Sequence, residues 1–303
     1  MPLVHGSFEF SIIAGPTAVG KSEIAVALAE RCGGEIIGAD AFQIYQGLDR
    51  LTAKPSAELR ARVPHHFVGE IPLTQGFDVA QYLALARQRI AEVRARGHLP
   101  IIVGGTGLYI RALTRGLADL PPADADLRAK LARQTLAELQ QQYSALDPAG
   151  FAQIDHQNAR RLVRAIEVCL LTSRPFSSFR EQWREPTACY HGIVCERPRP
   201  ELNARIDERT DRMFRDGVED EVRNCGPIGP TAAQTLGLEH IRKLLRGELD
   251  RKECIAAIQQ ATRRYAKRQM TWLRREMRLT PIDLSIDDDS NRLIECLATE
   301  IGA

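Results

Sequence analysis

Short apolar runs alternate with amphipathic stretches over the first third of the chain. Residues 8–14 form an apolar run ahead of a helix-like stretch at 23–31, and residues 35–38 form a second run ahead of a polar loop. An amphipathic stretch over 77–96 precedes a third apolar run at 99–103. This alternation is typical of parallel strands joined by crossover helices. It predicts an α/β fold in which helices cover a parallel sheet.

The pattern changes at about residue 117. Apolar positions then recur at helical spacing alone until residues 190–195, which read as another buried strand. We interpret residues 118–187 as a helical insertion domain that interrupts an α/β core formed by 1–117 and 188–303. Two domains in series are the alternative.

Composition places the chain among ordinary globular proteins. Its 303 residues are 44% hydrophobic and 26% charged, which allows a substantial core. The sequence shows neither an apolar window of membrane-spanning length nor an apolar leader, so we expect a cytoplasmic protein without membrane contact. The seven cysteines are dispersed, which favours reduced thiols over disulfides or structural zinc. Residues 280–303 are expected to form a poorly tied terminal element.

The net charge of +2 hides an uneven distribution. Seven cations lie between residues 263 and 278: Arg263, Arg264, Lys267, Arg268, Arg274, Arg275 and Arg278. Such a basic stripe predicts a polyanionic partner. Tyr265 and Trp272 recur at helical spacing beside Leu273, which favours core packing over stacking on nucleic-acid bases. His65 and His66 are adjacent without a completing ligand set, and we interpret them as structural.

Eight consecutive residues match the phosphate-binding motif G-x-x-x-x-G-K-[S/T]: Gly15, Pro16, Thr17, Ala18, Val19, Gly20, Lys21 and Ser22. They lie between the first predicted strand and helix, which is the context that the motif requires. Backbone amides at the helix start bind phosphate oxygens. Lys21 would reach the terminal phosphate, and the Ser22 hydroxyl would hold Mg²⁺. The motif predicts a P-loop NTPase-like sheet that binds a diphosphate or a triphosphate.

A carboxylate follows the second predicted strand rather than a later one. In nucleotide hydrolases of this architecture a later strand commonly ends in a carboxylate that holds Mg²⁺, but here the third strand runs into a Gly-Gly-Thr-Gly turn at 104–107. Asp40 follows the second strand, and carboxyl ends of adjacent parallel strands face one crevice. Asp40 is therefore suited to accept a proton from a nucleophile. The alternatives are that Asp40 caps the next helix and that the glycine-rich turn is purely structural.

Several blocks recur in a familiar order between residues 12 and 274: GPTAVGKS, ADAFQIYQGLD, TAKP, PIIVGGTGLYIRAL, ARRLVRAIEV, ELNARIDERTDRMFRDGVEDEV and ATRRYAKRQMTWLR. Together they resemble the tRNA dimethylallyltransferase family, also called IPP transferases. The resemblance implies a prenyltransferase that moves the dimethylallyl group from dimethylallyl diphosphate to the exocyclic amine of the adenosine 3′ of the anticodon. Mg²⁺ would be the cofactor and the tRNA anticodon stem-loop the partner, and we expect a monomer.

The resemblance also implies residue roles. The motif residues would bind the diphosphate, Asp40 would be the general base, Gln43 would recognise adenine, Thr106 would lie near the reacting centre, and Arg205 would contact the departing diphosphate. The segments implied to contact tRNA comprise Asp40, Ala41, Phe42, Gln43, Arg160, Arg161, Leu162, Val163 and Arg164. For these arginines a solvated helix face is the alternative. The adenosine would be flipped out of its stack to enter the pocket.

Some positions depart from the family's usual pattern, and two rival functions stay open. Ala41, Leu51 and Leu238 stand where serine, glycine and tyrosine are usual, and Ser173 replaces a glycine. These changes affect the acceptor side more than the phosphate-binding motif. One rival is an enzyme that prenylates a free adenine nucleotide, against which the basic stripe argues. The other is a nucleotide kinase or RNA-binding NTPase, against which the missing strand-end carboxylate argues.

Overall fold

The computed structural model describes residues 8–183, 188–276, 279–285, 294–295 and 297–299, with only the backbone at 180–183 and 276. The chain forms two compact units. One comprises Met1–Thr114 with Ala188–Ala303, and the other comprises Arg115–Thr187. Arg278 of the basic stripe and Cys296 lie outside the described residues. The other six cysteines are free thiols.

Six parallel strands form one sheet within the described part of the chain. They are β1 (Phe10–Ala14), β2 (Gly34–Ala39), β3 (His65–His66), β4 (Leu99–Gly104), β5 (Tyr190–Glu196) and β6 (Thr280–Asp283). Their order across the sheet is β3-β2-β4-β1-β5-β6. Every strand pair in that order is parallel. The predicted α/β fold with a parallel sheet is therefore confirmed.

Helices surround the sheet and make up the second unit. Those of the first unit are α1 (Lys21–Cys32), α2 (Ala57–Arg62), α3 (Val79–Ala95), α4 (Gly107–Arg115), α9 (Arg199–Arg215), α10 (Val218–Asn224), α11 (Leu238–Leu245) and α12 (Arg251–Glu276). The second unit contains α5 (Ala125–Leu131), α6 (Leu136–Leu146), α7 (Pro148–Phe151) and α8 (Ala159–Thr172). Short 3₁₀ helices lie at Phe176–Trp183 and Ala232–Gln234. Among the described helices, none is both long and apolar enough to cross a bilayer.

Apolar side chains on both faces of the sheet explain why its strands read as continuous apolar runs. Ile13, Ile36 and Ile101 pack on the face covered by α1. Ile12 and Ile102 pack on the opposite face with residues of α3 and α4. Helices on both faces of a parallel sheet remove most side chains of its central strands, β1, β2 and β4, from water. The sheet's carboxyl edge is then the place where polar loops can meet.

Within the described part of the terminal segment 280–303, the first residues are tied to the sheet rather than loosely attached. Thr280–Asp283 pairs with β5 from Ile193 to Glu196 as the last strand of the sheet. Leu284 is buried against the α1 side of the core. Four residues carry too little periodicity to be read as a strand, and pairing with β5 supplies the backbone hydrogen bonds that fix them.

The helical unit has its own apolar core. α5, α6 and α8 contribute Leu131, Leu139, Tyr143 and Leu162 to one buried cluster. Ser173 ends α8 in the left-handed region, with φ of 54°. Glycine adopts that conformation more easily than serine, which explains why a glycine is usual there.

Candidate active site

The phosphate loop, residues 15–22, connects the carboxyl end of β1 to α1. A Cβ atom on Gly15 would lie 2.8 Å from the Cys195 carbonyl oxygen, so β5 leaves room only for glycine there. Gly20 has a φ of 109°, which L side chains rarely adopt. The two glycines therefore allow a tight turn whose amides converge at the start of α1.

Cationic side chains bind the carbonyl groups of this loop. Pro16 O accepts a hydrogen bond from Lys21 Nζ at 2.7 Å, Ala18 O from Arg205 Nε at 2.9 Å, and Val19 O from Arg197 Nε at 2.8 Å. Because cations hold these carbonyls, the loop amides other than that of Thr17, which donates to Gln269, can face an anion. The loop is thus braced in a phosphate-binding shape, with positive charge around it.

Arg209 is a further cation of the loop. Its NH1 group donates to Thr17 Oγ1 at 2.7 Å, while its buried Nε has no hydrogen-bond partner in the described structure. Burial lowers the pKa of Arg209 to about 10, although Asp40 opposes this shift. An unpartnered buried N–H beside the loop is costly without an acceptor, and a diphosphate oxygen is a suitable one.

Lys21, like Arg209, is a buried cation whose pKa is lowered. Burial lowers its pKa to about 8, while Cys195 and Asp40 act in the opposite direction and Arg209 lowers it further. Two desolvated cations that face each other are destabilised without an anion. A bound diphosphate would supply that negative charge.

The Asp40 turn, residues 40–43, begins where β2 ends at Ala39. Asp40 Oδ1 accepts hydrogen bonds from the amides of Phe42 at 2.9 Å and Gln43 at 3.3 Å. Asp40 therefore does cap backbone amides, which was the alternative to a role as a base, but it caps a turn rather than a helix. Since both bonds go to Oδ1, the other carboxylate oxygen remains available to a substrate proton.

The glycine turn, residues 104–107, packs directly against the Asp40 turn. Thr106 donates its amide to Ala39 O at 3.1 Å, and its hydroxyl oxygen accepts from the Ala41 amide at 3.0 Å. The Thr106 hydroxyl also shares a hydrogen bond with the side chain of Tyr265. Thr106 thus lies beside Asp40, and the glycine turn has a structural role in addition to its place in the site.

Gln43 extends from the Asp40 turn toward the TAKP loop, residues 45–55. Its Nε2 donates to Thr52 O at 3.0 Å and to Ala53 O at 2.9 Å, which leaves Oε1 as its acceptor for a ligand. Within the loop, Lys54 Nζ donates to carbonyl oxygens of Tyr45 and Gly47 at 2.5 and 2.6 Å. The Lys54 bonds hold the loop in place, and the bonds to Thr52 O and Ala53 O fix the orientation of the Gln43 amide.

Two residues that differ from the family's usual pattern, Leu51 within this loop and Leu238 at the start of α11, pack in the core. Leu51 and Leu238 belong to one buried apolar cluster, and a Cβ on Gly237 would lie 3.1 Å from Leu51 Cδ1. Ala41 reaches Thr106 through its backbone amide, which any residue supplies. Leu51 therefore anchors the TAKP loop to an apolar cluster that includes Leu238.

One cavity of about 830 Å³ joins these elements. Its lining includes Lys21 and Ser22 of the phosphate loop together with Asp40, Gln43 and Arg209. Arg205 also lines it and is exposed. The structure thus brings the predicted phosphate-binding residues, the predicted base and the predicted adenine-binding residue to the carboxyl edge of one sheet.

The arginines of α8 have two different environments. Arg160 and Arg161 are exposed. Arg164 instead donates to Glu167 Oε2 at 2.5 Å and to Pro121 O at 2.8 Å. Leu162 is fully buried, so the expected tRNA contact by its side chain is corrected to a core role. The partly buried Val163 packs on the same cluster.

The basic face of α12 is also only partly available. Arg263 pairs with Asp207, and Arg274 pairs with Glu196 at 2.6 Å. Arg264, Lys267 and Arg268 are exposed along the helix. Trp272 is partly buried and Leu273 is buried in the core, as their spacing predicted.

In the described residues, no group of three or more His, Cys, Asp or Glu side chains could hold a metal. His65 contacts Val63 O, whereas His66 contacts the buried Glu35, which His98 and Arg96 also bind. A carboxylate does approach His66, contrary to expectation, but Arg96 shares it. The predicted structural role fits this ion-pair cluster.

Three residues of the site were missed in the sequence. Arg197 follows the carboxyl end of β5, so the rule that located Asp40 could have found it. Arg209 is four residues after Arg205 and shares its helix face, which periodicity could have shown. Gln269 lines the cavity from α12, and no local signal marks it.

Sequence comparisons match almost the whole chain. The model of the IPP transferase family matches residues 43–276. A protein from Akkermansia muciniphila named tRNA dimethylallyltransferase is 42% identical over 290 residues, 96% of this chain and 98% of that protein. A protein of the same name from Geobacter sulfurreducens is 42% identical over 291 residues, 92% of this chain and 93% of that one.

Solved structures show the same similarity. The full-length tRNA isopentenylpyrophosphate transferase from Bacillus halodurans aligns with a TM-score of 0.69 at 34% identity, over 96% of each chain. A eukaryotic dimethylallyltransferase acting on tRNA aligns with a TM-score of 0.78 at 23% identity, over 94% of this chain and 77% of that one. At that identity the second likeness concerns the fold alone.

Proposed function

This chain belongs to the IPP transferase family, and we propose on that premise that it is a tRNA dimethylallyltransferase. It transfers the dimethylallyl group of dimethylallyl diphosphate to the exocyclic amine of the adenosine 3′ of the anticodon. The observation that carries the proposal is the cavity in which the braced phosphate loop and Asp40 lie on neighbouring parts of one sheet edge. One side suits a leaving diphosphate, and the other suits a nucleophile that must lose a proton.

The phosphate loop would hold the diphosphate of the donor. Its remaining amides, together with Lys21 and Arg209 in the lining of the cavity, would stabilise the negative charge that accumulates as the carbon–oxygen bond breaks. Preorganised donors stabilise developing charge without reorganising during the reaction. The diphosphate departs with the bonding electron pair, which leaves the dimethylallyl carbon to bond the amine nitrogen.

Asp40 would receive the proton of the amine. An adenine amine is a weak nucleophile because its lone pair is delocalised, so a positioned base assists as the new bond forms. Asp40 Oδ1 is held by two amides, which orients the second oxygen. The Nε2 group of Gln43 is already hydrogen-bonded, so its Oε1 would accept a hydrogen bond from an N–H group of the adenine.

Mg²⁺ fits this site as a partner of the diphosphate. The Ser22 hydroxyl lines the cavity, and Mg²⁺ commonly uses one or two protein oxygens together with substrate phosphates and water. When bound, the ion would add positive charge beside the leaving diphosphate. Ser22 would hold it on the protein side.

The tRNA would meet exposed cations outside the cavity. Arg264, Lys267 and Arg268 on α12, and Arg160 and Arg161 on α8, are the exposed candidates. Phosphate contacts of this kind would make binding sensitive to salt. Action on tRNA also underlies our proposal that the enzyme is cytoplasmic, and we further propose that it is a monomer.

The structure offers a reason to prefer this reaction over nucleotide hydrolysis. β4 ends at Gly104, where a Cβ would lie 2.2 Å from Ala39 O. No metal-binding carboxylate can stand at that strand end without displacing β2.

Labelled dimethylallyl diphosphate, offered with unmodified total tRNA, with AMP or with buffer, tests the proposal. We expect label to enter tRNA alone and a parallel assay to show no comparable ATP hydrolysis. Label in AMP, or rapid ATP turnover without prenyl transfer, would overturn it.

A further inference from the structure

The side chain of Gln269 connects the phosphate loop to the glycine turn. Its Oε1 accepts the Thr17 amide at 2.9 Å, and its Nε2 donates to Gly105 O at 3.0 Å. Gln269 is 6% exposed, so water compensates poorly for either bond if it is lost. One buried amide group thus joins the loop that faces the diphosphate to the turn that supports Asp40.

Neighbouring residues on the same face of α12 contact the same turn. Tyr265 precedes Gln269 by one helical turn and hydrogen-bonds Thr106. Trp272 follows three residues later, and its ring would lie 2.0 Å from a Cβ on Gly107. Residues at i−4 and i+3 share one helix face. The inner face of α12 therefore determines where the glycine turn sits relative to the phosphate loop.

We propose that Gln269 is a positioning residue for prenyl transfer. The inference rests on the proposed function and adds that the Gln269 bridge sets the spacing between the diphosphate and the Asp40 side of the cavity. Thr17 is held from both sides, since Arg209 binds its hydroxyl. Displacements of about 1 Å can reduce rates about 100-fold even when binding survives.

The chemistry of the bridge requires an acceptor and a donor on one short side chain. Glutamine supplies both. A glutamate at this position supplies both only when it is protonated, because its ionised form has no hydrogen to give to Gly105 O. The rate of a Gln269→Glu variant should therefore depend on pH if the bridge matters for turnover.

The first test is Gln269→Met, which keeps length and removes both bonds. We expect kcat for tRNA to fall about 10- to 100-fold, while the Kd of inorganic diphosphate changes less than about threefold, because Lys21 and the other loop cations remain. Gln259→Met is the matched control, since Gln259 lies on the same helix and makes two long hydrogen bonds, to Asp207 O at 3.4 Å and to Asp211 Oδ1 at 3.3 Å. A folded Gln269→Met enzyme with the parent's kcat, or an equal loss in the control, would refute the proposal.

The second test is Gln269→Glu, with its rate divided by the parent's rate from about pH 8.5 to about pH 6. We expect this ratio to rise as pH falls, because protonation restores the donor to Gly105 O. A residue that only stabilised the fold would give a flat ratio in fully folded samples. A flat ratio would therefore contradict a positioning role.

Hydrogen exchange separates this inference from the proposed function. Loss of the bridge should speed exchange of the Thr17 amide about tenfold in Gln269→Met, whether or not the parent modifies tRNA. A parent that binds diphosphate but never prenylates tRNA would refute the proposed function alone. Unchanged Thr17 exchange would refute the bridge itself.

Discussion

Replacing Asp40 by asparagine separates proton transfer from binding in one substitution. Asparagine is nearly isosteric, and its Oδ1 can accept the same hydrogen bonds from Phe42 and Gln43 that Asp40 accepts at 2.9 and 3.3 Å. The turn should therefore persist, with Tm within about 2 °C of the parent's. What is lost is the negative charge and the capacity to take a proton.

Two effects of this substitution on donor binding oppose each other. Asp40 lies near Lys21 and Arg209 and raises the pKa of both, so its removal weakens the protonated state of these cations. The same removal relieves repulsion between the carboxylate and the diphosphate. We therefore expect the Kd of dimethylallyl diphosphate to stay within about threefold near pH 7.

The effect of Asp40→Asn on turnover, unlike its effect on donor binding, is not offset by an opposing one. A positioned general base contributes about 10²- to 10⁴-fold, which is about 3–5 kcal/mol of activation free energy. Single-turnover transfer to tRNA, with donor Kd measured in parallel, checks this expectation. Asp216→Asn makes the same charge change in the lining of the same cavity and should retain the parent's rate within about threefold. A loss of less than about tenfold with Asp40→Asn, or a parallel loss of donor binding, would disprove the assigned role.

Three further outcomes follow from the described contacts. Inorganic diphosphate should bind more weakly as pH rises above about 8, where Lys21 loses its proton; calorimetry should show that Lys21→Met flattens this dependence. Burial alone would raise the pKa of Glu35, but its bonds to one arginine and two histidines lower it to about 2. Its stabilisation is therefore present above the unfolded pKa and lost as pH falls from about 4.5 toward about 2; Glu35→Gln should remove that pH dependence in urea unfolding. Arg160→Ala and Arg161→Ala should each reduce the salt slope of tRNA binding by about 1, whereas Arg164→Ala should chiefly lower Tm because its guanidinium binds Glu167. A reduced slope without loss of Tm in Arg164→Ala would contradict this distinction.

Local sequence was enough to predict the elements that carry the site. The apolar run at 8–14 contains β1 (Phe10–Ala14), and the helix-like stretch at 23–31 lies within α1 (Lys21–Cys32). Asp40 could be placed beside the phosphate loop because strand ends in a parallel sheet share an edge. These predictions depend on periodicity and on neighbours along the chain.

Long-range packing was not predictable in the same way. Thr17 and Gln269 are separated by 252 positions, and nothing near Gln269 distinguishes a buried bridging amide from a surface one. Arg164 reads as a basic residue beside Arg160 and Arg161, yet the buried carboxylate of Glu167 captures it. In both cases the role follows from which residue folding brings opposite, and a single sequence does not display that partner.

The close approach of Gly104 to Ala39 also limits how this scaffold can change. Any single substitution at Gly104 introduces a Cβ 2.2 Å from a carbonyl oxygen of β2, and β2 is paired with β4 from Gly34 to Ala39. A mutational route that installs a metal-binding carboxylate at this strand end must therefore first separate two central strands. For engineering, the position is closed to point mutation, and new chemistry must be sought on the Asp40 turn and the TAKP loop, where side chains already face the cavity.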